Sequence, residues 1–209
     1  MSNSMRKKSI RTEELLEISL NVFARYGYGK TTLDDIASEV SMTKANLYNY
    51  VRSKQDLYHR SVCYALEKWR YVVARKMQHC SKPAERLHVM IRESMVYIEE
   101  NQQLQQLLMY DKRIFSISSD TDQFSEVNSA ARDLLCGTIK EGIHSGVFYP
   151  VNPELVTEYL FSNYMMFLMK RYVIREGERT SQVFDESLKI IIRGLVKPEY
   201  LRDIQGEED

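Results

Sequence analysis

The sequence predicts an all-α protein, on three observations. Gly and Pro are scarce, at 8 and 4 among 209 residues, and long stretches contain neither. Apolar residues recur at intervals of three and four through most of the chain, the period of an amphipathic helix. Strand-and-turn patterning at short spacing is missing. The length suits one or two domains with ample core. A composition of 44% hydrophobic and 28% charged residues is ordinary for a soluble globular protein.

Residues 1–10 are polar, with Arg6, Lys7 and Lys8 together. They read as a tail, or as a basic arm that tracks phosphates and orders only on nucleic acid. Residues 12–26 read as the first helix, with Glu13 and Glu14 opposing the positive helix end. Leu16, Leu20 and Phe23 form its buried stripe, with Leu15 and Val22 beside it, and Gly27 ends it.

Residues 31–57 are the most informative stretch, two short helices joined by a tight turn and then the capped start of a third. Thr32 with Asp35, and Ser53 with Asp56, each form a capping box in which the shorter Asp replaces Glu or Gln. Thr43 caps the middle helix, expected over residues 44–50. Ile36, Ala37, Val40 and Leu47 face inward, and Ala37 is small where the two helices approach closely. Lys44, Asn46, Tyr48 and Asn49 then occupy the outer face, a donor-rich surface of the kind that reads base edges and phosphates in double-stranded DNA. Lys54, at the first position of the next helix, is expected to form an anion site with the nearby backbone N–H groups.

A long helix is expected over 55–79, a helix with one buried stripe over 84–100, another over 102–115, a loop at 116–122, and a helix over 124–145 closed by Gly146. Asn152, Pro153 and Glu154 mark a clear helix start. The helix that follows, 155–174, is apolar around nearly its full circumference, so it must be covered on several sides. That pattern predicts a subunit interface. A final amphipathic helix carries Phe184, Leu188, Ile191, Ile192 and Leu195.

Taken together, Thr31-Thr32-Leu33-Asp34-Asp35-Ile36-Ala37, Thr43-Lys44-Ala45-Asn46-Leu47-Tyr48-Asn49-Tyr50 and Ser53-Lys54-Gln55-Asp56-Leu57 resemble the DNA-binding domain of the TetR family of bacterial transcriptional regulators. The resemblance runs over residues 9–69. It departs from the family pattern at Ser41, Ala45 and Val51, where Gly, Gly and Phe are frequent. Ser41 must then carry whatever backbone conformation the turn demands, and a positive φ there is strained. The resemblance implies an N-terminal three-helix helix-turn-helix domain over 9–54, preceded by a basic arm at 1–8. It implies a larger helical effector-binding and dimerisation domain over 55–200, the linking helix starting at 53, and an acidic tail at 201–209. DNA contacts are expected from Thr32, Thr43, Lys44, Ala45, Asn46, Tyr48, Asn49 and Lys54. A four-helix dimer interface is expected from Leu160, Tyr164, Leu168, Leu188, Ile191, Ile192 and Leu195. A small-molecule effector of unknown identity is expected to release the DNA, with Tyr110, Tyr164 and Phe167 as candidate contacts. Ordinary core packing is the competing reading for these three.

Net charge is zero, which excludes a uniformly basic nucleic-acid binder. Residues 1–54 hold nine Lys/Arg and six Asp/Glu, a balance of +3, so the remainder carries −3. Cys63, Cys80 and Cys136 are widely spaced, form no CxxC, and fit a reducing, cytoplasmic compartment. No secretory leader and no apolar run long enough to span a membrane are seen. His59, His79, His88 and His144 are isolated from one another, and no phosphate-binding loop, metal motif or nucleophile motif is present. No cofactor, metal site or catalytic residue is therefore expected. The alternative readings are an enzyme built on a helical bundle and an adaptor that binds a protein through its apolar helices.

Overall fold

In the computed structural model, residues 3–115 and 122–204 are described. The described elements are helical, apart from one isolated antiparallel bridge between Phe148 and Val196. In order they are α1 (Asn3–Lys30), α2 (Leu33–Glu39), α3 (Lys44–Leu47), α4 (Lys54–Met77), α5 (Pro83–Glu100), α6 (Gln102–Tyr110), α7 (Ser125–His144), α8 (Pro153–Leu168) and α9 (Glu178–Leu195). Short 3₁₀ segments at Lys112–Phe115 and Pro198–Asp203 and a π-helix at Met169–Ile174 complete the set.

The chain divides into two units. One is Met1–Lys68 with Asn101–Asp111, the other Trp69–Glu100 with Lys112–Asp209. The division falls inside α4 and assigns α6 to the first unit, whereas the sequence reading put 55–200 in one domain. The reason is packing. Leu104, Leu107 and Leu108 of α6 are each 1% exposed, and α6 lies against α1. Tyr58 Oη donates to Asp111 Oδ2 at 2.5 Å within the same unit.

In the first unit Leu15, Leu16, Leu20, Val22 and Phe23 of α1 are buried, as the stripe predicts. The helix kinks at Gly27, whose φ of 77° needs a residue without a side chain. Over the expected arm at 1–8, the backbone from Asn3 onward is helical and continuous with α1. Leaving Pro and Gly out of this stretch allows that continuation.

The second unit has a core of Leu87, Leu135, Ile139, Phe148, Leu160, Leu188, Ile192 and Leu195. Asn152 caps α8 by accepting from Leu155 N at 2.9 Å, as the Asn-Pro-Glu start predicts. Gly142 lies against the buried Phe148 ring, 2.3 Å from where a Cβ would sit, so only glycine fits there. The helix expected over 102–115 breaks at Asp111 into α6 and the 3₁₀ turn. The start of the expected acidic tail has a packing role, because Leu201 and Ile204 lie against the core. The expected loop at 116–122 falls, but for Asp122, outside the described residues, as do 205–209.

Among the described residues, no helix is long and apolar enough to cross a membrane. No disulfide joins the three cysteines, and no group of His, Cys, Asp or Glu among the described residues could hold a metal.

Candidate nucleic-acid interface

The interface is built from local rules first. Thr32 Oγ1 accepts from Asp35 N at 3.2 Å, and Asp35 Oδ2 accepts from Thr32 N at 2.8 Å, a reciprocal capping box on α2. The Thr32 hydroxyl also donates to Asp35 Oδ2 at 2.7 Å. These bonds to the Thr32 hydroxyl and backbone hold the Asp35 carboxyl below its ordinary pKa. The other end of α2 closes by a Schellman motif: Met42 N donates to Ala37 O at 2.8 Å and Ser41 N to Ser38 O at 3.1 Å. Ser41 sits at φ 53°, the left-handed conformation the sequence pattern demanded of it.

Thr43 then caps α3, accepting from Asn46 N at 3.2 Å. The regular α-helix is shorter than expected, Lys44–Leu47, and the chain turns through Tyr50 with Asn49 N on Asn46 O and Tyr50 N on Leu47 O. Tightened i→i+3 bonds of this kind are usual where a helix ends. Leu47 and Ile36 are fully buried, and Ala37 and Val51 nearly so, which sets the α2–α3 angle. On the opposite side Thr43, Lys44, Ala45, Asn46, Tyr48 and Asn49 are all exposed. Tyr48 is 52% exposed, so its phenol is presented rather than packed.

The polar groups of this face are partly tied to one another. Lys44 Nζ lies 2.7 Å from Asp34 Oδ2, and that hydrogen bond and charge raise the lysine's pKa. Asn49 Nδ2 donates to Asn46 Oδ1 at 3.1 Å. These contacts are exposed and exchangeable, so they orient the donors without consuming them. Sequence reading missed Asp34 as the partner of Lys44, although a carboxylate ten residues earlier gives no periodic signal.

The start of α4 differs from expectation twice. Ser53 Oγ accepts from Asp56 N at 3.1 Å as predicted, but the Asp56 carboxylate reaches one residue further back, to Arg52 N at 2.8 Å. Lys54, expected to form an anion site, is tied to the backbone of its own chain. Its ammonium donates to Tyr28 O at 2.9 Å and Thr31 O at 3.0 Å, and sits 4.3 Å from the Tyr28 ring centroid. It fastens the link between α1 and α2. Arg60 does the same for the end of α3, donating to Tyr50 O at 2.6 Å. Neither tie has a signal in the sequence, since each joins residues distant in the chain.

The other expected sites are placed as follows. Leu160, Leu188, Ile192 and Leu195, assigned above to a dimer interface, belong to the core of the second unit. Leu168 is 1% exposed, and Tyr164 lies between the rings of Trp69 and Phe184. Tyr164 and Ile191 are the two half-buried members of that set. The most apolar positions of the two helices are covered by the chain itself. The exposed apolar residues are instead Leu155, Tyr159 and Met166 on α8 and Val183 and Ile190 on α9. Of the candidate effector contacts, Tyr110 is 63% exposed and lies in the first unit, while Tyr164 and Phe167 lie in the second.

A family model described as bacterial regulatory proteins, tetR family, matches residues 15–60, from α1 through the start of α4. The chain is similar to the repressor KstR2 of Mycobacterium tuberculosis, 27% identical over 193 residues that cover 90% of this chain and 94% of that protein. It is similar to the biofilm-operon negative regulator IcaR of Staphylococcus aureus, 23% identical over 164 residues covering 78% and 82%. Its fold resembles that of AibR, solved with isovaleryl coenzyme A and operator DNA, at a TM-score of 0.59 and 20% identity, covering 86% of this chain and 97% of that one.

Proposed function

The chain belongs to the TetR family and is a DNA-binding regulator of transcription rather than an enzyme, and from that premise we propose that it is a homodimeric repressor released from an inverted-repeat operator by a small molecule. The observation that carries the DNA-facing part is the exposed row Lys44, Asn46, Tyr48 and Asn49 opposite the buried Leu47. A capped four-residue helix with donors on its free side suits insertion of its first turns into a major groove. Lys44, Asn46 and Asn49 face base edges or phosphates, Tyr48 and Thr43 reach phosphates, and Ala45 lies flush against the groove. Thr32 stays with its cap.

The dimer reading is supported by a repeated spacing. On α8 the residues Leu155, Tyr159, Ser162 and Met166 follow one another at four, three and four. On α9 Val183, Ser187, Ile190 and Gly194 repeat the same steps. Leu155 is 70% exposed and Ile190 71%, so each helix carries one open apolar seam besides its core face. A second copy covering both seams gives a four-helix, two-fold contact. Two-fold symmetry in turn requires half-sites about one helical turn apart, or a multiple of it.

Release follows if the effector prefers the conformer in which the two recognition helices are wrongly spaced. A hundredfold loss of occupancy needs about 2.7 kcal/mol of differential affinity. AibR, with both a coenzyme A thioester and operator DNA in its structure, is a precedent for such a pair of ligands. Footprinting of the protein on DNA upstream of its own coding region, at one stated salt concentration, tests the reading. A symmetric protected site is expected, and Tyr48→Ala should weaken it without dissociating the dimer. Unchanged affinity in that variant refutes the role given to Tyr48.

A further inference from the structure

The second unit holds a polar cluster that its own chain leaves incomplete. Tyr164 on α8 and Tyr172 on the π-helix stand eight residues apart, about two turns along one helical path. Both phenol oxygens are shut off from solvent; Tyr164 has no hydrogen-bond partner, and Tyr172 has none beyond the neighbouring Arg171 guanidinium, which cannot accept its proton. Burial holds the Tyr164 phenol well above its ordinary pKa, with Tyr172 and Glu99 adding to the effect, so it stays a neutral O–H donor. Buried hydroxyls that donate to nothing are rare in native proteins, and two in one place call for an acceptor.

Two independent features mark the same place. The backbone over Met169–Ile174 is π-helical and closes at Arg175 with φ 64°, an irregularity that often accompanies a functional site. Rings form a wall beside it. Tyr164 lies 5.9 Å from Trp69 and 6.5 Å from Phe184, and Phe167 meets Phe184 edge-on at 5.3 Å. The cation of the cluster is already engaged. Arg171 pairs with Glu99 at 2.8 Å and donates to the Ser181 hydroxyl.

We propose that this cluster receives the effector, and that the effector is an uncharged cyclic compound whose carbonyl oxygen accepts from Tyr164 and Tyr172. The proposal rests on the ligand-released reading above. The two O–H donors select an acceptor, and the rings select a flat or cyclic apolar body. The Arg171–Glu99 pair selects against an anion. A carboxylate would have to take Arg171 from Glu99 and would leave two like charges together.

Trp69 is the one tryptophan of the chain, so indole fluorescence reports on this cluster directly. Full-length protein without DNA is titrated with cyclohexyl methyl ketone and, in parallel, with cyclohexanecarboxylate, which has the same shape and a charge. The ketone should give a saturable change, and the carboxylate should bind at least about tenfold more weakly. Tyr164→Phe and Tyr172→Phe should each weaken ketone binding about tenfold without lowering the thermal midpoint, because neither hydroxyl donates to an acceptor within the chain. No saturable change with the ketone, or equal affinity for the two compounds, overturns the proposal. So do Phe variants that lose thermal stability while keeping ketone affinity, the signature of hydroxyls held by structural water. Because the titration contains no DNA, its failure leaves the regulator reading standing. Ketone binding with no protected operator would remove that reading alone.

Discussion

Replacing Lys54 with Met separates two roles that a lysine at this position can have. Family resemblance makes it a phosphate contact, while the structure makes it a clasp. Its ammonium holds the carbonyls of Tyr28 and Thr31 at 2.9 and 3.0 Å, where α1 hands over to α2. Hydrogen bonds from a charged donor contribute about 1.5–3 kcal/mol each, and a cation over an aromatic ring about 0.5–1 kcal/mol. Both carbonyls are only partly buried and regain water when the ammonium leaves, so the sum is discounted to about 2–3 kcal/mol. Met keeps the length of an unbranched side chain, which confines the change to the charge and its bonds. At about 2–4 °C per kcal/mol for a chain of this size, the midpoint should fall by roughly 5–10 °C.

The discriminating assay pairs thermal unfolding with operator affinity measured across a salt series. Removal of a phosphate contact lowers the slope of log affinity against log salt by about one. A clasp leaves that slope alone, and affinity falls by a similar factor at every salt. Full thermal stability with a slope reduced by one would refute the clasp and restore the phosphate role.

Three further outcomes are expected. Ser41→Gly should raise the urea midpoint by the equivalent of about 0.5–1 kcal/mol, since Ser41 holds φ 53° where glycine is unstrained; an unchanged midpoint refutes strain at the turn. Ile190→Glu should turn the dimer into monomer by light scattering, because a 71% exposed isoleucine on the α9 seam is surplus to the core; an intact dimer moves the interface elsewhere. His88 has a pKa below the ordinary 6.5, chiefly through burial and then through Arg92. The unfolded chain therefore binds more protons than the folded one between the lowered value and 6.5, so stability rises with pH across that window and is lost as pH falls through it. His88→Gln should flatten the stability profile in the window below pH 6.5, and an equally steep profile in the variant refutes the assignment.

Local rules made much of this protein legible from sequence. The box at Thr32, the caps at Thr43 and Ser53, the start at Asn152 and the strained Ser41 all involve partners within six residues, so spacing alone reveals them. The ties of Lys54 to Tyr28 and Thr31 span 26 and 23 residues and leave no such trace. The dimer residues show the same limit in another form. Periodicity reveals that α8 and α9 must be covered, but not by what. Choosing the most apolar positions selected Leu160, Leu188, Ile192 and Leu195, which the chain keeps for its own core. The exposed seam proposed for a partner is the less apolar one, interrupted by Ser162, Ser187 and Gly194.

The placement of α6 decides whether the DNA-facing unit can stand alone. Sequence resemblance ends near Trp69, which suggests an autonomous domain. Yet Leu104, Leu107 and Leu108 are buried against it, and Asp111 accepts from the buried Tyr58 across 53 residues of chain. Three leucines bring about 1.5–3 kcal/mol each, roughly 5–9 kcal/mol together. That is comparable to the whole stability of a small domain, about 5–15 kcal/mol. A fragment ending at Lys68 should therefore lack a cooperative thermal transition by circular dichroism while the full chain shows one. Tyr58→Phe in the full chain should cost far less than the truncation, because it removes a hydrogen bond and leaves the leucines in place. A fragment that melts cooperatively near the full-length midpoint would mean that α1 to α4 close their own core, and that α6 merely rests on it.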